Sequence, residues 1–119
     1  MKIEREWVSA RLHDGAFIHV RHWQVEGGQD MGGHLWFEAR HARWVTEMLL
    51  ACIETWAFPQ HELQSGADHL KVFESGPEQS PVVNLRNRRA PGMEHGGVYV
   101  LMMSRSIAMQ LVRSLRTLR

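Results

Sequence analysis

Trp7-Val8-Ser9-Ala10-Arg11-Leu12 and Ala16-Phe17-Ile18-His19-Val20-Arg21-His22-Trp23-Gln24-Val25, with His13-Asp14-Gly15 between them, decide the fold class. Both runs are rich in β-branched and aromatic residues, which pack well on a pleated surface. Asp-Gly between such runs signals a type I′ turn, because both positions tolerate positive φ. An antiparallel hairpin therefore opens the chain. The stretch from Glu26 to Gly33 contains Gly27, Gly28, Gly32 and Gly33 and reads as a mobile loop. His34-Leu35-Trp36-Phe37-Glu38-Ala39 follows as a short third strand.

Ala42, Val45, Leu49, Cys52, Ile53 and Trp56 then recur at three- and four-residue intervals, predicting a helix over 42–57 with one buried face. Trp44 and Trp56 are expected inside. Pro59 ends this helix by pushing Phe58 out of the α region. Cys52 lies on the buried stripe and reads as a small core residue, not a nucleophile. Gln60 to Ala67 reads as a linker. His69–Glu74 is the next strand, Ser75–Pro81 a turn, and Val82–Arg88 another strand. In that strand Val83 and Leu85 share one face, while Asn84, Arg86 and Arg88 share the other. Ala90 to Gly97 is a Pro/Gly loop. Val98-Tyr99-Val100-Leu101-Met102-Met103 is apolar on both faces, which predicts a central strand covered on both sides. Ser104 or Ser106 caps a second helix over 105–118. Ile107, Ala108, Leu111, Val112, Leu115 and Leu118 point inward from it, and Arg105, Arg113 and Arg116 outward.

The two halves share one plan. Gly32-Gly33-His34-Leu35-Trp36-Phe37 aligns with Gly96-Gly97-Val98-Tyr99-Val100-Leu101 at an offset of 64, and each block runs into a helix. The expected fold is α+β: two successive β-β-β-α units, pseudo-repeats over about 3–57 and 68–119 of a single domain 1–119, forming antiparallel sheet with two helices packed on it. One unit alone is too small to bury both sheet faces, so two halves docked together, or a homodimer, would close the core. This plan resembles the PUR-repeat proteins and the plant Whirly proteins, in which antiparallel strands precede a helix and the unit occurs twice. The resemblance covers nearly the whole chain as a pattern of elements. No sequence motif of either family is matched, and those families use four strands per unit where three are counted here. It implies single-stranded nucleic acid lying across an exposed sheet face.

Hydrophobic residues at 44% and charged residues at 23% of 119 suffice for a core, which excludes a disordered tail, a collagen-like fibre and a coiled-coil rod. No apolar run approaches the roughly 20 residues that cross a bilayer. The N-terminus lacks the apolar stretch of a signal peptide, and the lone Cys52 fits a reducing compartment, so a cytoplasmic protein without membrane association is expected. The net charge is only +1, but it is unevenly spread. Residues 1–60 carry six basic and eight acidic side chains, and residues 61–119 eight basic and five acidic. Arginine outnumbers lysine twelve to two, and guanidinium forks suit phosphates, carboxylates and aromatic faces.

No nucleophile elbow, phosphate-binding loop or dinucleotide fingerprint is present, and no cofactor is expected. The eight histidines lack metal-ligand spacing; His19 and His22, three apart in a strand, point to opposite faces, so no metal site is expected. Acid/base chemistry could be assembled only in three dimensions, from Glu38, His34 and His41. One constellation carries binding chemistry: Asn84, Arg86, Asn87, Arg88 and Arg89 beside Tyr99, Trp36 and Trp23. Arginines on a sheet face neutralise phosphates, and aromatics stack bases. Three classes follow. The first is a non-enzymatic protein binding single-stranded nucleic acid through Asn84, Arg86, Arg88, Arg89, Tyr99 and Trp36. The second is a protein-interaction module such as an adaptor or an inhibitor/immunity protein, and the third an enzyme without a recognisable motif. A basic groove along the sheet marks the first; a flatter patch with an apolar centre marks the second.

Overall fold

Asp14 and Gly15 both take positive φ, 53° and 69°, as the Asp-Gly signal requires. They join β1 (Ile3–His13) to β2 (Phe17–Glu26). The computed structural model describes residues 3–54, 60–77, 79–88 and 98–118, with the side chains of residues 3, 4 and 98 excepted. Gly27 and Gly28, again at positive φ, turn the chain into β3 (Gln29–Glu38). The expected glycine-rich loop is thus confined to two residues. A tight turn leaves the register no freedom, and β2 templates the rest: Trp23 pairs with Gly32 and His22 with Gly33.

A single 3-10 turn (Ala39–His41) leads into α1 (Ala42–Glu54), where Val45, Leu49 and Cys52 are fully buried and Ala42 and Ile53 pack at the margin. Trp44 is half-buried against the core; Trp56, Phe58 and Pro59 lie outside the described residues. The second half contains β4 (His61–Ser65), β5 (Asp68–Ser75), β6 (Val82–Arg88), β7 (Val98–Ser104) and α2 (Arg105–Thr117). Ser104 caps α2, its hydroxyl accepting the Ile107 N–H.

Four further expectations are corrected. The fold is α+β and antiparallel, but with two sheets, β1-β2-β3 and β4-β5-β6-β7, so the halves carry three and four strands instead of repeating one β-β-β-α unit. The additional strand, β4, replaces the expected linker. Its five residues include one apolar side chain, Leu63, so its sequence has no alternation to read; a turn at Gly66, φ 59°, folds it onto β5. Residues 98–103 form an edge strand, not a central one. β7 ends the second sheet's order, and Val100 and Met102 stand exposed on its outer face while Leu101 and Met103 are buried. Arg105 does not simply point outward: it forms a bidentate pair with Glu74 at 2.7 and 2.8 Å. Gly96 and Gly97, half of the proposed repeat signature, lie outside the described residues.

The core is made from the inward rows of both sheets and the facing stripes of both helices. Ile18, Val20, Leu35 and Phe37 meet Leu70, Val72, Val83, Leu85, Leu101 and Met103, with Val45, Leu49, Leu111 and Val112 filling between. At β3 the sheets pass close together. A side chain at Gly33 would stand 3.2 Å from the Leu101 methyl, so glycine there permits the approach. No described helix is long and apolar enough to cross a membrane.

Candidate nucleic-acid interface

Alternation in β1, β2 and β3 sends one set of side chains to the core and the other to the sheet's open face. Register places the open-face residues in three rows: Trp7–Trp23–Gly32, Ser9–Arg21–His34 and Arg11–His19–Trp36. Trp7 and Trp23 stack with centroids 5.9 Å apart and planes 6° from parallel. Arg21 lies 4.1 Å above the Trp23 ring, and Arg5 sits 5.7 Å from that of Trp7. His19 stacks on Trp36 at 4.3 Å, and His34 closes the group at 4.4 Å from Trp36. The result is a band of indole and imidazole rings flanked by the exposed Arg5, Arg11 and Arg21, with no acidic side chain in the three rows.

The band's register depends on one bulge. A two-residue loop at Asp14-Gly15 would pair His13 with Ala16 and set Trp7 opposite His22. Instead the Ala16 N–H closes the turn on the His13 carbonyl at 3.2 Å, and in the ladder His13 pairs with Phe17. The Ala16 carbonyl accepts the Ala39 N–H at 2.9 Å, so the turn after β3 holds the extra residue in place.

The expected site residues divide. Trp36, Trp23 and Tyr99 come to the same side of the molecule, Tyr99 reaching past the edge of β3 to stand 6.1 Å from Trp36 and 5.5 Å from His34. Asn84 does not project into solvent: it is 3% exposed, and its amide donates to the Ser75 hydroxyl and the Phe73 carbonyl. Arg86 and Arg88 are paired with Val100 and Val98, so they share the opposite face of the second sheet from Tyr99, which pairs with Asn87. Arg88 donates to the carbonyls of Gly66 and Ala67, clamping the β4–β5 turn. Asn87 is buried, and Arg89 lies outside the described residues. Arg5, Trp7, Arg11, His19 and Arg21 were missed as site residues, and His34 was considered only for acid/base chemistry. Their signal was the same period-two alternation, present in the first hairpin but read there only as strand propensity.

Two polar hubs lie beneath. Asp68, almost fully buried, accepts the Glu38 N–H at 2.8 Å and His41 Nδ1 at 2.6 Å on one oxygen, and the Asn87 amide at 3.1 Å on the other. Asn87 also donates to the Trp36 carbonyl and accepts the N–H groups of His69 and Arg88. Glu38, His41 and Asp68 bring one ligand atom each to within 4.8 Å of one another, the spacing a cation would need. Both Asp68 oxygens, however, are engaged by protein donors, as in a structural junction. His34 stands apart from this group, with His19, so the expected Glu38–His34–His41 set is not assembled. In the second hub Glu6 accepts from His22 at 2.7 Å, Gln24 at 3.0 Å and the Ser104 hydroxyl at 2.8 Å. Burial pushes this carboxyl up, but the three donors together outweigh it and hold it down to about 2. The serine bonds the carboxylate, not the imidazole, so the three side chains lack the relay order of a catalytic triad. Burial pushes the Cys52 thiol up to about 12, which removes it as a nucleophile.

No protein-family profile matches the chain, and no curated protein matches it in sequence.

Proposed function

We propose that this protein is a non-enzymatic binding module that takes single-stranded nucleic acid across the open face of β1, β2 and β3. The observation that carries this reading is the aromatic band Trp7–Trp23 and His19–Trp36, set among Arg5, Arg11 and Arg21; its three rows hold no acidic side chain, and Asp30 and Glu38 stand in the rows at either end. Trp7 is exposed and Trp23, His19 and Trp36 are half-buried; the ring surface they leave open offers stacking platforms that tolerate any base, and the arginines supply phosphate neutralisation. A duplex would present its bases edge-on inside the stack, so the rings favour the single strand. The binding surface is moved from the β6 arginines to the first sheet, because Arg86 and Arg88 do not share a face with the rings.

Fluorescence anisotropy with labelled single-stranded oligonucleotides over a salt series tests the reading. Binding at about 50 mM salt that falls steeply with added salt is expected. Trp36→Ala should weaken it by roughly 1–3 kcal/mol, the value of one stacked base. Absence of binding at low salt overturns the proposal.

A protein partner is the second reading, favoured by Val100 and Met102 standing exposed on the edge strand β7. Co-purification with a protein that Met102→Lys abolishes, without nucleic acid, would move the assignment there.

A further inference from the structure

The two glycines in β3 leave a notch in the basic aromatic face. Gly32 belongs to the open side and pairs with Trp23; a Cβ there would meet Trp23 Nε1 at 3.3 Å. The missing side chain therefore opens a space against the N–H edge of that indole. The notch measures about 190 Å³ and is lined by Arg21, Trp23, Gly32, Gly33 and His34. We infer that this notch is a phosphate seat, occupied by one phosphodiester group of a bound single strand; the inference rests on the nucleic-acid reading above.

Its donors favour an anion. The Trp23 indole offers only an N–H, and no described residue accepts it. The Arg21 guanidinium carbon sits 4.1 Å from the centroid of the same ring, a contact that uses the charge over the ring face and no N–H donor, so its N–H fork remains for two phosphate oxygens. No described carboxylate pairs with Arg21. His34 adds an imidazole to the lining, and Gly32 and Gly33 add backbone without a side chain. A nucleobase would need acceptors as well as donors to be read there, and the lining side chains offer few. The rings beside the notch, Trp7 and the His19–Trp36 pair, are left for the flanking bases.

Salt dependence separates a phosphate from a base. Gly32→Val fills the notch, and Arg21→Gln removes its fork without touching the core. Each should weaken oligonucleotide binding about tenfold and reduce the slope of log K against log salt by about 0.7. Trp36→Ala should weaken binding and leave the slope unchanged. Because Arg21 is exposed, its variant keeps the test valid should Gly32→Val fail to fold by its thermal melt. Binding untouched by both notch variants overturns the phosphate seat and leaves the sheet-face reading standing. Weaker binding at unchanged slope means a base occupies the notch, and also overturns it. If wild-type protein binds no oligonucleotide at low salt, the sheet-face reading falls and the seat with it.

Discussion

The Asn87 side-chain amide donates to the Trp36 carbonyl at 2.6 Å, joining the second sheet to the edge strand of the first. Trp36 carries its ring on the open face, so the bond anchors a binding-face residue from behind through its backbone. The same amide also meets Asp68, which holds the next free N–H of that edge, at Glu38. Side chains of one sheet thus satisfy backbone groups that strand pairing leaves open in the other.

Asp68→Ala should cost roughly 3 kcal/mol or more, because it strands His41 and the Glu38 N–H without their acceptor and leaves the Asn87 amide only the Trp36 carbonyl. Urea denaturation measures this. A loss below about 1 kcal/mol, the level of an ordinary substitution, would show that the junction is not holding the sheets.

Leu111 is fully buried on α2, and Arg113 two positions on is exposed. Leu111→Asp should unfold the protein, since an unpaired carboxylate cannot be buried there. Arg113→Asp should stay within about 0.5 kcal/mol of wild type. Equal melting temperatures would mean that the helix face is wrongly assigned.

Acid should loosen the protein through Glu6. Its carboxyl, ordinarily near 4.5, is held down to about 2 in the fold. The unfolded chain therefore binds the proton first as pH falls. The stability from this group is fully present above pH 4.5 and is lost as pH drops toward 2. It amounts to roughly 3 kcal/mol at neutral pH. Glu6→Gln should flatten the stability profile in that window; an unchanged profile would assign the acid sensitivity elsewhere.

Binding should strengthen as pH falls below neutrality. Burial pushes the His19 pKa down, and His34, Arg21, His13 and Arg11 push it further. A depressed imidazole resists protonation in the free protein, so stability alone declines as pH drops below 6.5. A bound phosphate backbone offsets that repulsion and favours the charged ring, so complex formation takes up a proton. Oligonucleotide affinity measured from pH 7.5 to 5.5 should rise, and His19→Gln should remove most of the rise. Affinity independent of pH would take His19 out of the interface.

Local chemistry was legible in the sequence wherever it was self-sufficient. Asp14-Gly15 specified its turn because positive φ is a property of those two residues, and the stripe Ile107–Leu115 specified a helix and its buried face by spacing alone. Ser104 as the cap belongs with them. What depended on a distant partner was not legible. Ala16 becomes a bulge because Ala39, brought back by β3, donates to its carbonyl, and that one-residue shift sets Trp7 against Trp23. β4 is a strand because β5 pairs with it, not because His61–Ser65 alternates. Val98–Met103 has the composition of a covered strand, yet β7 is an edge, since composition records what a face tolerates and not what lies beside it. Asn84 and Arg86 alternate with core residues alike, but only packing decides that the amide is buried and the guanidinium is not. The binding face likewise needed the pairing of three strands before rings and arginines far apart in the chain became one surface.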